Sequence, residues 1–313
     1  MRRVLLIGSV FLALMGAACG RDSSPGSARS EKPAAEGSFP ATIGTGGGQV
    51  RIASRPRSIV SLSATATEML FAIEAGDQVV AVDDNSNYPP EAPKTNLSGF
   101  QPNVEAIAGF KADLVVYSND PGDLGKSLKA LGIPALLLPF AKNLDDTYRQ
   151  IENLGRATGH PREAGDLVAS MKAGIAEIVA ARSKSDTAPT YYHELDNNFY
   201  SATSKTFIGG IYGLLGLKNI ADGADRDGSG FPQLSAEYII QADPDLIFLA
   251  DTKCCGQSEQ TVAARPGWTQ IQAVSSGRVI ALDDDVASRW GPRIVEFLRS
   301  ASKAVKELEM VKS

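Results

Sequence analysis

PREAGDLVASMKAGIAEIVAARS, residues 161–183, decides the fold. Its apolar residues Ala164, Leu167, Val168, Met171, Ile175, Ile178 and Val179 recur at steps of three and four, which puts them on one face of a helix. Pro161 suits a first helical position, where its missing N–H costs nothing. A helix over 161–183 is about 34 Å long, roughly the width of a small domain. Gly165 and Gly174 lie inside it and each costs about 1 kcal/mol relative to Ala, so packing must hold the rod together. The alternative is a surface helix within one large α/β domain.

On both sides of the rod, short apolar runs alternate with helical patterns, as in parallel α/β units. Before it, strands are expected at Ser58–Leu62, Val79–Val82, Asp113–Tyr117 and Ile133–Leu138, with a helix over Ala64–Ala75 stopped at Gly76. After it come Thr190–Glu194, Asp245–Ala250 and Arg278–Leu282, closed by a helix over Arg293–Lys312. The predicted fold class is α/β: two Rossmann-like lobes with central, mainly parallel sheets, joined by one long rigid helix, with a ligand cleft between them. The lobes span 49–160 and 184–313. Ligand sites of parallel sheets lie at the carboxyl ends of the strands, which groups the loops at Ser63, Asp83–Pro90 and Ser118–Pro121.

An internal repeat supports two equivalent lobes. Asn103-Val-Glu105-Ala-Ile107 leads into Asp113-Leu-Val-Val, and Ser235-Ala-Glu237-Tyr-Ile239 leads into Asp245-Leu-Ile-Phe, at the same offset of 132. Asn103 and Ser235 are suitable helix N-caps. Glu105 and Glu237 then fall in first turns, where the helix dipole favours a carboxylate. That dipole explains each glutamate alone; matched positions in two lobes suggest a pair of negative posts on one face.

The 313 residues are 43% hydrophobic and 21% charged, with a net charge of −5, so the chain buries a proper core and shows no basic excess that would favour nucleic acid. Two histidines, His160 and His193, cannot supply a His-rich metal cage, and three cysteines are too few for a disulfide framework. Neither a metal nor a cofactor is expected. Residues 1–18 carry Arg2 and Arg3, an apolar run and small residues, the plan of a secretory signal; the run falls short of the about 20 residues that span a membrane. Gly16-Ala17-Ala18-Cys19-Gly20 resembles a bacterial lipobox with Cys19 as the lipidated residue, although Gly16 replaces the usual large aliphatic. Cleavage as an ordinary secreted protein is the alternative. Residues 19–48, rich in Ser, Gly, Ala and Pro, read as a flexible, lipid-anchored tether. Its glycine run 44–48 is not a phosphate loop, since no Gly-Lys-Ser/Thr follows. No Gly-x-Ser-x-Gly elbow is present, and His193 has no motif context, so a hydrolase is disfavoured.

Four segments carry a family resemblance: Ser61-Leu-Ser-Ala-Thr-Ala-Thr-Glu68, Asn87-Tyr-Pro-Pro-Glu91, the paired Glu105 and Glu237 segments, and Asp285-Val-Ala-Ser-Arg289-Trp-Gly-Pro-Arg293. Over about 57–308 the sequence resembles the substrate-binding proteins of bacterial ABC importers whose lobes are joined by one helix, and most of all their cobalamin-binding members. The resemblance implies a non-catalytic monomer held outside the cytoplasm at the membrane by its lipid, serving a permease and its ATPase. It implies a corrinoid or iron-chelate ligand (a ferric siderophore or haem) in a cleft lined by Tyr88, Phe100, Phe199 or Tyr200, Phe231, Asp285 and Arg289, with Trp290 a further candidate. Phe100 and Phe231 stand where better-known cobalamin binders have tryptophan. Glu105 and Glu237 would dock on arginines of the permease, one lobe to each subunit. A tethered sensor or adhesion module is the remaining reading.

These residue types suit such a site. Aromatic rings bury large area with little entropy loss, and Arg289 offers a planar fork that Asp285, four residues earlier, can orient. The plainer explanations are core packing for the rings and a surface salt bridge for the pair. Cys254-Cys255 follows a strand and so falls at the cleft mouth, either as a vicinal disulfide or as two free thiols.

Overall fold

A computed structural model describes residues 37–182 and 188–312. The expected signal, Cys19 and the first part of the tether lie outside these residues. The chain opens with β1 (Ala41–Thr45) and β2 (Gly48–Ile52), then alternates through β3 (Ile59–Leu62), α1 (Ala64–Ala72), β4 (Val79–Val82), α2 (Val104–Gly109), β5 (Leu114–Tyr117), α3 (Leu124–Ala130), β6 (Ala135–Leu137) and α4 (Leu144–Thr158). The connecting helix is α5 (Pro161–Ala180). Beyond it lie β7 (Thr190–Glu194), α6 (Phe207–Leu214), β8 (Lys218–Asn219), α7 (Ala236–Ala242), β9 (Leu246–Leu249), α8 (Thr252–Cys255), α9 (Glu259–Ala263), α10 (Gln272–Ser275), β10 (Val279–Ala281), α11 (Asp284–Ser288) and α12 (Ile294–Lys312).

The two four-stranded sheets are parallel and share one topology. Their orders, β4-β3-β5-β6 and β8-β7-β9-β10, are the same arrangement four strands apart. The register repeats as well: Ile59 pairs with Leu114, and Tyr191 with Leu246, each partner shifted by 132. The two aspartates of the repeat do the same work. Asp113 Oδ2 accepts the N–H groups of Arg57 and Ser58 at the start of β3, while Asp245 Oδ2 accepts the N–H of Thr190 at the start of β7. Every residue of β3, β5 and β9 is buried, as helices on both sheet faces require.

The helix α5 stops at Ala180, three residues short of the expected end, with Ala181 as its cap. It buries Ala164, Val168, Met171, Ile175 and Ile178, the predicted face, against α4 and α12. Gly155 lets α4 and α5 approach closely, since a Cβ there would lie 2.4 Å from that of Ala164. One apolar core runs from Met69 and Leu114 of the first lobe through these helices to Tyr191, Phe248 and Phe297 of the second.

One expectation is corrected. The hairpin β1–β2 is antiparallel and begins inside the stretch read as tether, with Ala41 and Ile43 buried in the first-lobe core. Gly46-Gly47 is its two-residue turn and the flanking Gly44, Thr45 and Gly48 belong to the strands, so low complexity in the sequence marks a hairpin tip and not a linker.

Candidate functional site

The carboxyl ends of β3, β4 and β5 open onto one cavity of about 230 Å³, lined among others by Ser63, Asp83, Phe100, Ser118, Asp285 and Arg289. Pockets that enclose a small ligand measure ~300–1,000 Å³, so this is the floor of a site and not a closed chamber. Ser63 caps α1 by accepting the Ala66 N–H and receives the Ser118 hydroxyl at 2.7 Å. Asp83 is buried in the wall; burial pushes its carboxyl up, against the hydrogen bond from Ser86.

The far wall comes from the last part of the chain. Arg289 is 9% exposed and held on two sides: Nη1 donates to Glu68 Oε1 at 2.7 Å, and Nη2 donates to Asp285 Oδ1, Asn87 Oδ1 and the Asn85 carbonyl at 2.7 to 2.9 Å. Arg293 grips the same Glu68 through Nε and Nη2 at 2.9 and 2.5 Å, and its guanidinium lies 4.1 Å from the Tyr88 ring centre. Burial alone would raise the Asp285 carboxyl, but hydrogen bonds from Lys253 and Asn87 and the Arg289 charge hold it below the usual range. The sequence pattern marks Arg289 and Asp285 as site residues; it includes Glu68 in a resemblance segment but gives no sign that this buried carboxylate holds both arginines.

The predicted aromatics divide into three groups. Phe100 lines the cavity, while Tyr88 lies outside its lining and stacks on Arg293, which shares Glu68 with Arg289. Tyr200 and Phe231 stand exposed on the second lobe, outside the cavity lining; the backbone at Tyr200 bridges to Gln233. Phe199 turns inward onto Trp268 and Arg265, leaving Tyr200 as the outward ring. Trp290 edges the cavity, but it is buried, donates Nε1–H to Gln150 Oε1 and packs against Phe140. Phe140, 61% exposed on the cavity rim, carries no sequence signal because it follows a strand with no motif around it.

The remaining candidates lie apart from the floor. Glu105 and Glu237 are exposed in the first turns of α2 and α7, capped by Asn103 and Ser235 as expected. In the structure Cys254 and Cys255 are joined as a vicinal disulfide at the end of α8. The Asp284 carboxylate accepts the N–H groups of Thr252, Lys253 and Cys254, while Lys253 bridges Asp283 and Asp285 at 2.8 Å each. That clasp links the cysteine helix to the cavity wall. His193 lies in the second-lobe core, 2.9 Å from the Tyr212 hydroxyl, and burial pulls its pKa down to about 3, so it is a neutral packing residue. Among the described residues no group of three or more His, Cys, Asp or Glu is placed to hold a metal ion, and no helix is long and apolar enough to cross a membrane.

Two parallel-sheet lobes on a helical spine, with a polar floor at the strand ends, have the architecture of a binding protein of the periplasmic kind. The chain belongs to the Periplasmic binding protein family, which it matches over residues 59–286; it is a substrate-binding protein of an ABC importer and not an enzyme. It is 32% identical, over 96% of this chain and 95% of the relative, to the uncharacterized ABC transporter substrate-binding lipoprotein YvrC of Bacillus subtilis. It is 30% identical to the cobalamin-binding protein of Halobacterium salinarum, covering 82% of this chain and 71% of that one. Among solved structures, the periplasmic heme-binding protein RhuT of Roseiflexus sp. RS-1 superposes with a TM-score of 0.70 at 26% identity, covering 82% of this chain and 99% of that one.

Proposed function

We propose that the cleft captures a corrinoid outside the cytoplasm and delivers it to the importer's permease, which Glu105 and Glu237 contact. The observation that carries this reading is the set of exposed rings, Tyr88, Phe100, Tyr200 and Phe231, each 40% to 64% exposed in a chain whose other aromatics are mostly packed. Such area is costly to leave in water unless a large ligand covers it. Similarity to a cobalamin-binding protein over four-fifths of the chain supports the same class. A ferric siderophore or haem is the second reading, supported by the likeness to a heme-binding protein. Anchoring through Cys19 belongs to the proposal and is supported by the name of the Bacillus relative.

The test is a titration with cyanocobalamin, haem and a ferric trihydroxamate. Trp290, on the cavity edge, reports by fluorescence, and Trp268, buried under Arg265, supplies the constant background. Saturable quenching by cyanocobalamin alone is the expected result. A response only to an iron chelate moves the substrate within the class.

A further inference from the structure

The cations around the cavity floor are already neutralised by the protein. Arg289 and Arg293 share one carboxylate, Glu68, which is 3% exposed. The outward side of Arg289 is held by Asp285, and Lys253 lies between Asp283 and Asp285. Three positive groups therefore meet three carboxylates in one closed cluster. The other titratable group in the cavity wall is Asp83, and its neighbour Asp84 is also acidic. No N–H on Nη2 of Arg289 points to the cavity without a partner already in place, since three acceptors crowd that one nitrogen.

An anionic ligand set on this floor would have to displace Asp285 or Glu68 from an arginine, or approach those carboxylates directly. Displacement breaks a charge-assisted pair that the protein has already formed, at Glu68 a buried one, and approach adds like-charge repulsion, so both are unfavourable. An uncharged ligand meets neither cost. It finds carboxylate and hydroxyl acceptors at Asp83, Asp285 and Ser118 for its own N–H or O–H donors, and rings for its apolar faces.

We infer that this cleft selects ligands presenting an uncharged, hydrogen-bonding face, as the amide-fringed corrinoids and neutral ferric hydroxamates do, over ligands presenting carboxylates or catecholates. Glu68 is the residue that sets this preference, because it alone balances both arginines. The inference rests on the reading of the cleft as a ligand site.

Matched pairs of ligands test it whichever corrinoid or chelate the cleft takes in the cell. Calorimetry compares cyanocobalamin with its carboxylate derivatives, made by hydrolysing peripheral amides, and a neutral ferric trihydroxamate with a trianionic ferric tricatecholate. The expected result is at least about tenfold tighter binding of the uncharged member of a pair by the unmodified protein. In Glu68→Gln, which keeps the shape and removes the charge, that ratio falls by about tenfold or reverses. Asp285→Asn, on the more exposed side of Arg289, shifts the ratio in the same direction and serves if Glu68→Gln does not fold. Equal or tighter binding of the anionic member by the unmodified protein overturns the inference and leaves the receptor reading standing, as does a ratio that neither variant moves. Silence toward all four ligands overturns the receptor reading and this inference with it.

Discussion

Glu68 and Arg289 meet at 2.7 Å across 221 positions of sequence, a buried ion pair between α1 of the first lobe and the segment that follows α11 of the second. Arg293 completes the contact on the same carboxylate. The lobes are thus joined twice, by the apolar spine of α5 and by a polar hub near the cleft floor. Removing one partner of such a hub leaves charge buried without compensation. Glu68→Ala should therefore lower unfolding stability by about 3–5 kcal/mol. Urea denaturation checks it, and a loss under about 1 kcal/mol, the usual worth of an exposed pair, would show the hub to be incidental.

A second buried cluster predicts a pH dependence. Asp251 at the end of β9 is fully buried, and burial first, then the adjacent Glu194 carboxylate, pushes its pKa up to about 7; Arg265 opposes the shift, while Asp284 adds to it. The folded chain therefore holds a proton on Asp251 that the unfolded chain releases near pH 4. Its contribution to stability is complete below about pH 4 and is lost as pH rises through about 7. The stability of the natural chain relative to Asp251→Asn should fall between pH 5 and pH 8. A difference that rises over that range, or stays flat, contradicts the assignment.

The proposed permease docking should be separable from ligand capture. Glu105 and Glu237 sit in solvent at equivalent positions of α2 and α7, and neither touches the cavity. Reversing both to Arg should abolish uptake by cells while changing the ligand Kd by less than about twofold, since rim charges away from a site contribute little to affinity. Undiminished uptake by the double variant would remove these residues from the docking surface.

Cys254 and Cys255 end a short helix whose N–H groups are held by Asp284. In an oxidising compartment the bonded pair should persist. Alkylation of the unfolded protein, followed by peptide mass spectrometry, should label neither cysteine unless reductant is added. Labelling of both without reductant identifies two free thiols.

The repeat at an offset of 132 makes the two-lobe architecture legible, because the aspartates and N-caps that define it act locally, within a few residues of the strands and helices they start. The α5 face is legible for the same reason. What stays hidden depends on partners far apart in sequence. Glu68 reads as an ordinary helix residue until Arg289 and Arg293 arrive beside it. Trp290 reads equally as a ligand ring or a core residue, and the bond of its N–H to Gln150 has no sign in the sequence. The hairpin β1–β2 is concealed because its alternation covers only ATIGT and its turn has the composition of a linker. The two-residue strand β8 is too short to carry any period.

The same double connection bears on motion. A hinge needs a few backbone residues free to absorb rotation, yet here α5 is packed against α4 and α12 along its length. Thr147 and Gln150 of α4 also hold the carbonyl and indole of Trp290, so the segment leading into α12 is pinned to the first lobe. Opening the lobes would break Glu68–Arg289 and pull Trp290 from its packing, costs that a moderate ligand affinity does not offset. Ligand addition should accordingly change the small-angle scattering radius of gyration by less than about 1 Å, because interfaces in packed proteins move by under about that much when no hinge is present. Glu68→Ala should enlarge the change by freeing the hub. A large ligand-induced shift in the unmodified protein would mean that the hub opens during the transport cycle and that α5 alone holds the lobes together.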